Sequence, residues 1–197
     1  YEPYTRAEDI EPVFAALKDK LVPLVEKIAA TGKFPARGVL DQDFPVAEQE
    51  ELGRQVLEDL GFDLEAGRLD VAVHPFCSGP SRDDVRLTTR YSADWLPGSL
   101  FGTIHEAGHG LYEQGLPEDA VATPAGGSVS LGIHESQSRL WENMVGRSKA
   151  FSTHYLPRLK ALFPTQLQNV NLDEFYAAVN QVEPSLIRVE ADEVTYN

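Results

Sequence analysis

The chain has 197 residues, of which 42% are hydrophobic and 24% charged, an ordinary globular balance that excludes a disordered polypeptide. Its formal net charge of -14 argues against a nucleic-acid or anionic-membrane partner, because phosphate binding needs a basic surface that releases counterions. No apolar run approaches about 18 residues and no signal peptide is visible, so nothing in the sequence reads as a membrane span.

Thr5-Arg6-Ala7-Glu8 reads as a capping box, after which Ile10, Val13, Phe14, Leu17, Leu21, Leu24, Val25 and Ile28 recur at three-four spacing. That pattern predicts a helix over 6–30, bent at Pro23 and ended by Gly32. After a loop from Gly38 to Phe44, Pro45 opens a second helix with Val46, Leu52, Val56, Leu57 and Leu60 inward and Gly61 at its end. Residues 69–74 and 85–91 are short, β-branched runs separated by Ser78-Gly79-Pro80-Ser81, and are expected to form two antiparallel strands joined by a loop. A helix is expected over 98–114, a flexible loop over 116–130, and a long helix over 131–162 interrupted by Pro157. Asn171-Leu172-Asp173-Glu174 is a second capping box opening 172–182, and Pro184 starts a last helix carrying Leu186, Ile187, Val189 and Val194. The expected class is therefore mainly α with a short two-stranded antiparallel β element. One domain is expected over 1–197, with scaffold helices in 1–66, the β element in 67–92 and metal-site helices in 93–197.

The chemistry concentrates in Ile104-His105-Glu106-Ala107-Gly108-His109. On a helix, His105 and His109 stand about 6 Å apart along the axis and within ~40° around it, so both imidazoles can grip one ion. Glu106 lies about 100° further round, placed to take a proton from a water at that ion without ligating it. This is the zinc-hydrolase signature H-E-x-x-H. Gly108 and Gly110 each cost about 1 kcal/mol against Ala inside a helix, which suggests that something packs close there.

A catalytic zinc site needs a third protein ligand and one open corner. Glu135, near the start of the returning helix, is the candidate and its neighbour His134 the alternative; helical neighbours diverge by about 100°, so only one should reach the ion. Glu142 and Glu113 are candidates for orienting the two histidines, with solvated surface charge as the alternative for each. Cys77, the single cysteine, allows no intrachain disulfide and favours a reducing, cytoplasmic setting. A small buried apolar residue is its simplest reading and a thiol ligand the other. His154 reads as a surface residue. A strand beside the metal helix offers an edge to which an extended peptide can add.

Five blocks in order resemble the motifs of the carboxypeptidase Taq family, the M32 metallocarboxypeptidases: His74-Pro75-Phe76, Asp84-Val85-Arg86-Leu87-Thr88, His105-Glu106-Ala107-Gly108-His109, His134-Glu135-Ser136-Gln137 and Ile187-Arg188-Val189-Glu190-Ala191-Asp192. The resemblance implies a largely helical, zincin-like fold with a deep groove, a Zn2+ or Co2+ ion, and release of single residues from peptide C-termini with broad specificity, terminal proline refused. It assigns His105, His109 and Glu135 to the metal, Glu106 to the general base and Arg188 to the substrate's terminal carboxylate. A guanidinium binds a carboxylate bidentately, and Asp192 one turn on can orient it, although the same pair also reads as an ordinary i,i+4 surface contact. His74 is a candidate to hydrogen-bond the developing oxyanion or is a satisfied turn residue. Arg86 is a candidate groove residue, or with Asp84 an anchor of the strand pair to the helix that carries Glu135. Peptides are the expected partners, with no nucleic acid and no membrane, and family members also form homodimers. The alternatives are a zinc endopeptidase and an inactive fragment or binding module retaining the motif. Members of the family are more than twice this length, and the chain starts at Tyr1 and stops at Asn197 within a helical pattern; the expectation is a cut piece. Such a piece would leave Leu186 and Val194 uncovered and prone to self-association.

Overall fold

The computed structural model describes residues 4–33, 38–121 and 123–181. The chain divides into two units, Tyr1–Pro35 and Ala36–Asn197. The first is built on helix α1 (Ala7–Ala29), none of whose residues is buried. Its cap stands one residue later than expected: Arg6 is the N-cap and the Asp9 carboxylate accepts from the Arg6 backbone N–H at 3.0 Å. The helix runs through Pro12 and Pro23.

The second unit holds helix α2 (Val46–Leu60), strands β1 (Gly67–Val71), β2 (Cys77–Ser81) and β3 (Asp84–Thr89), and helices α3 (Leu96–Gln114) and α4 (Leu131–Arg139). A π-helical stretch, Leu140–Gly146, separates α4 from α5 (Lys149–Leu162), which is followed by α6 (Pro164–Leu167) and α7 (Leu172–Val179). The described residues are thus mainly α, with one small sheet.

That sheet differs from the expected hairpin. It has three strands in the order β1-β3-β2, with β1 parallel to β3 and β2 antiparallel to it. The Ser78–Ser81 segment, read as a loop for its Gly and Pro, is itself an edge strand. An edge tolerates Pro80, whose missing N–H costs no ladder bond on the open side. Arg82-Asp83 makes the tight turn into β3, and once β2 takes one flank of β3, β1 is left to run parallel on the other.

Two apolar clusters meet on either side of α3. The larger gathers Leu40 and Phe44, Leu52 and Val56 of α2, Leu96, Leu100, Phe101 and Ile104 of α3, and residues of α5 and α7. The smaller joins Leu57, Phe62, Val85, Leu87 and Ala107. Leu40 and Phe44 are fully buried although their segment has turn chemistry. Phe44 packs edge-on against Phe163, ring centroids 5.2 Å apart. Helix 131–162 is broken at Arg147-Ser148 rather than at Pro157, which lies inside α5. Ser148 is the cause: its hydroxyl accepts from the Phe151 N–H at 3.0 Å and starts a new helix there. The Asn171 box is present, with Asn171 and Glu174 exchanging side-chain to backbone bonds of 3.0 and 2.9 Å; α7 ends at Val179, three residues earlier than the expected 182. The helix expected from Pro184, including Leu186 and Val194, lies outside the described residues.

The face of α2 that is buried comprises Gln49, Leu52, Gly53, Val56 and Leu57, with Val46 left exposed. Gln49 donates to the carbonyls of Phe44 and Ser92, both at 2.8 Å, and accepts from the Ser99 hydroxyl at 2.5 Å. It ties α2 to the segment that leads into α3. Replacing Gln49 by Leu leaves buried carbonyls unanswered, each costing on the order of 1–3 kcal/mol. Urea unfolding of Gln49→Leu followed by tryptophan fluorescence should show a loss of at least about 2 kcal/mol; an unchanged midpoint would show the network to be dispensable.

Candidate metal centre

α3 presents nearly all of its middle to the protein: Phe101, Thr103, Ile104, Glu106, Ala107, Gly108 and Gly110 are buried, whereas His105 and His109 are only partly so. The two histidines therefore occupy the one stripe of this helix not consumed by packing. Opposite them comes α4, whose start is set by Ser130. That residue adopts φ 55°, costly for a side-chain-bearing residue, and its hydroxyl accepts from the Ile133 N–H at 3.0 Å. Glu135 follows one turn later.

The two helices touch at Gly108. A Cβ there would stand 2.6 Å from Ser138 Cα and 2.7 Å from the Gln137 carbonyl oxygen, so only a bare α-carbon admits the α4 backbone. Gly110 faces Phe62 and Leu87 at 2.7 and 3.0 Å in the same sense. The close packing suggested by the two glycines thus has a named partner in each case.

This approach brings one ligating atom each of His105, His109 and Glu135 within 4.8 Å of one another. His105 Nε2 lies 3.8 Å from Glu135 Oε1, and His109 Nε2 lies 3.4 Å from Glu135 Oε2. Behind them stands a second layer. His105 Nδ1 is 2.9 Å from Glu142 Oε2. Arg139 donates from Nε to Glu135 at 3.1 Å and from Nη1 to Glu142 at 3.0 Å. Arg147 reaches Glu142 at 3.4 Å and lies over the Phe101 ring, 4.1 Å from its centroid. The π-helical stretch carries Glu142, and irregular helix of this kind often serves to aim a side chain. His134, one residue before Glu135, turns instead to Nδ1 of His109 and to Glu113.

The electrostatics follow from this layout. Burial alone would raise the Glu142 carboxyl, but His105, Arg147 and Arg139 outweigh it and hold it below the usual range. Glu135 is likewise lowered: burial opposes ionisation, and His109, His105 and Arg139 overcome it. Burial pushes His105 down, yet its bond to Glu142 and the charges of Glu142, Glu106 and Glu135 leave it raised. Glu106, buried at 5% exposure, is raised chiefly by desolvation. Arg139 and Arg147 thus answer Glu135 and Glu142, while Glu113 meets His134. Negative charge left beside the His105 and His109 nitrogens fits a cation, and the nitrogen and oxygen donor set suits zinc among others.

Residues 1–197 in full match the family model of the carboxypeptidase Taq (M32) metallopeptidases. The chain belongs to this family. Thermostable carboxypeptidase 1 of Thermus thermophilus is 52% identical over 197 residues, which are 100% of this chain and 38% of that protein. Carboxypeptidase 1 of Bacillus subtilis is 43% identical over 196 residues, covering 39% of its length. The solved M32 carboxypeptidase from Deinococcus radiodurans R1 matches with a TM-score of 0.92 at 45% identity, over 100% of this chain and 39% of that one. This M32 chain therefore spans well under half the length of the relatives it matches.

Not every block that resembles an M32 motif meets at the cluster. Arg86 is exposed on β3, where it binds the Asp84 carboxylate through Nε and Nη2 at 2.8 and 2.7 Å. Strand alternation puts it on the face opposite Val85 and Leu87, which pack towards α3. His74 sits exposed in the bend between β1 and β2. Arg188 and Asp192 lie outside the described residues. His154 is exposed, its ring 5.1 Å from that of Tyr155. Sequence reasoning passed over Arg139 and Arg147. Arg139 had a readable signal, lying four residues after Glu135 and three before Glu142; Arg147 had none, because its reach depends on the π-helical stretch.

Two outcomes follow. Gly108→Ala gains up to about 1 kcal/mol in helix propensity but must displace α4 backbone, an overpacking that costs about 1–3 kcal/mol; thermal melting should show a lower Tm, and a raised one would refute the contact. Burial, with the Glu106 and Glu113 charges adding to it, pushes the Cys77 thiol up to about 12. Native protein at pH 8 should therefore resist iodoacetamide and react once unfolded in urea; prompt labelling of the folded chain would contradict this.

Proposed function

We propose that this chain carries the metal centre and general base of a zinc-dependent carboxypeptidase that releases C-terminal residues from peptides with broad specificity, Co2+ being an alternative ion. The observation that carries the reading is the convergence of His105, His109 and Glu135 in a chain of metallopeptidase family. When bound, the ion would polarise the scissile carbonyl and acidify a water beside it. Glu106 accepts the proton of the attacking water and returns it to the leaving amine. Its burial favours this, since a desolvated carboxylate is a stronger base than a solvated one. Glu142 and Arg139 hold His105 and Glu135 in place while the charge shifts. Arg188 is assigned the free carboxylate of the substrate, on the strength of its motif position and the bidentate fit of guanidinium to carboxylate.

No helix among the described residues is long and apolar enough to cross a membrane, and the acidic surface disfavours nucleic acid as a partner. The single cysteine supports a reducing, cytoplasmic setting, and homodimerisation is the matching proposal for assembly.

Metal quantification and a C-terminal release assay test the reading together. Glu106→Gln should keep its zinc while turnover falls by about 10²–10⁴; near-wild-type turnover would exclude Glu106 as the base. A peptide with an amidated C-terminus should not be cut, and its cleavage at an equal rate would identify an endopeptidase.

A further inference from the structure

His134 stands one layer behind the cluster, and its bonding pattern bears on how His109 is presented to an ion. Its Nδ1 lies 2.6 Å from Nδ1 of His109, and its Nε2 lies 2.7 Å from Glu113 Oε1. The ring is further held between those of His109 and Tyr112, centroids 4.7 and 5.0 Å away. Two ring nitrogens at this separation share a single proton, so one donates and the other accepts. Glu113, as a carboxylate, only accepts, which places a proton on His134 Nε2. A neutral His134 then has a bare Nδ1, and the shared proton belongs to His109 Nδ1. With Nδ1 so engaged, Nε2 is the His109 nitrogen turned towards Glu135, 3.4 Å away, on the side where a cation would sit. The reverse arrangement requires an imidazolium at His134 and puts a proton on His109 Nε2, which closes that nitrogen to any cation.

We propose that His134, anchored by Glu113, is a positioning residue that fixes His109 in its Nδ1–H tautomer and so keeps Nε2 open for a divalent metal. The inference rests on reading His105, His109 and Glu135 as a metal site. The two histidines are then held by unlike partners. His105 meets the Glu142 carboxylate directly, whereas Glu113, one turn beyond His109 on the same helix, acts on it through the neutral ring of His134. A carboxylate partner raises the basicity of a ligating imidazole more than a neutral acceptor does, which makes His105 the stronger donor of the pair.

The test combines Zn2+ affinity by chelator competition at one fixed pH with ¹⁵N spectra of the histidine rings in the metal-free wild-type chain. His134→Phe should weaken Zn2+ binding by about 10- to 100-fold. His134→Asn, whose amide oxygen can replace Nδ1 as acceptor, should recover most of that loss, a rescue that packing alone does not give. The spectra should show His134 protonated at Nε2 and bare at Nδ1. Wild-type affinity in His134→Phe, equal loss in the Phe and Asn variants, or a protonated Nδ1 on His134 would each overturn the proposal. Should His134→Phe fail to fold, the ring-nitrogen spectra of the wild type decide alone. A wild-type chain that binds no Zn2+ would sink the metal reading itself, and the same spectra would still report whether His134 holds His109 as described.

Discussion

The contact on which the rest depends is the approach of α3 and α4 at Gly108, where an α-carbon without a side chain meets the backbone of Gln137 and Ser138. Ligation by two residues of one helix is a local matter, settled by a four-residue spacing. Ligation by a third residue from another helix is not, because the reach of a glutamate is short. Only when two helix backbones are nearly in van der Waals contact does Glu135 come to the same point as His105 and His109. Gly108 sits within the H-E-x-x-H run itself, so the motif encodes both the ligand spacing and the room for the helix that completes it.

Charge is the second constraint. Four carboxylates gather around three imidazoles and two guanidiniums, largely out of water, and such a set is unfavourable unless each member is answered. Arg139 bridges Glu135 and Glu142, and Arg147 caps Glu142 while resting on Phe101. The arginines lower the repulsion without filling the centre. What they leave over is negative charge on the side where three ligating atoms meet, which favours a cation there.

Much of this was legible in the residues because helical spacing is a local rule. The histidine pair, the neighbouring Glu106 and the meaning of Gly108 and Gly110 follow from counting along a helix, whereas Glu135 stood beside His134 as one of two candidates and Glu142 and Glu113 had solvated surface charge as their alternative. The sheet was less legible, since a strand with Gly79 and Pro80 has the composition of a turn and only its place at an edge makes it tolerable. Gln49 was overlooked for a different reason: hydrophobic periodicity skips polar letters, although position 49 falls on the same face as Leu52, Val56 and Leu57. The helix break at Ser148 escaped because Pro157 looked the stronger breaker, whereas Ser148 caps a new helix and Pro157 lies inside it, with Tyr155, Leu156 and Leu159 of the same helix buried. The role of His134 could not be read at all, because it depends on which nitrogen faces which.

The wide turn from Leu140 to Gly146 has a consequence for the chain beyond it. A stretch bonded i to i+5 takes up more residues per revolution than the α-helix on either side, so the angular phase counted from α4 no longer applies once α5 begins. The core-facing stripe of α5, from Phe151 through Tyr155 to Leu159, is consequently free to be set by the packing of its own neighbours. Two requirements that an unbroken rod would have forced into a single compromise, aiming carboxylates at one end and filling an apolar interior at the other, are uncoupled by seven residues of loosened winding and the extended Ser148 that follows them.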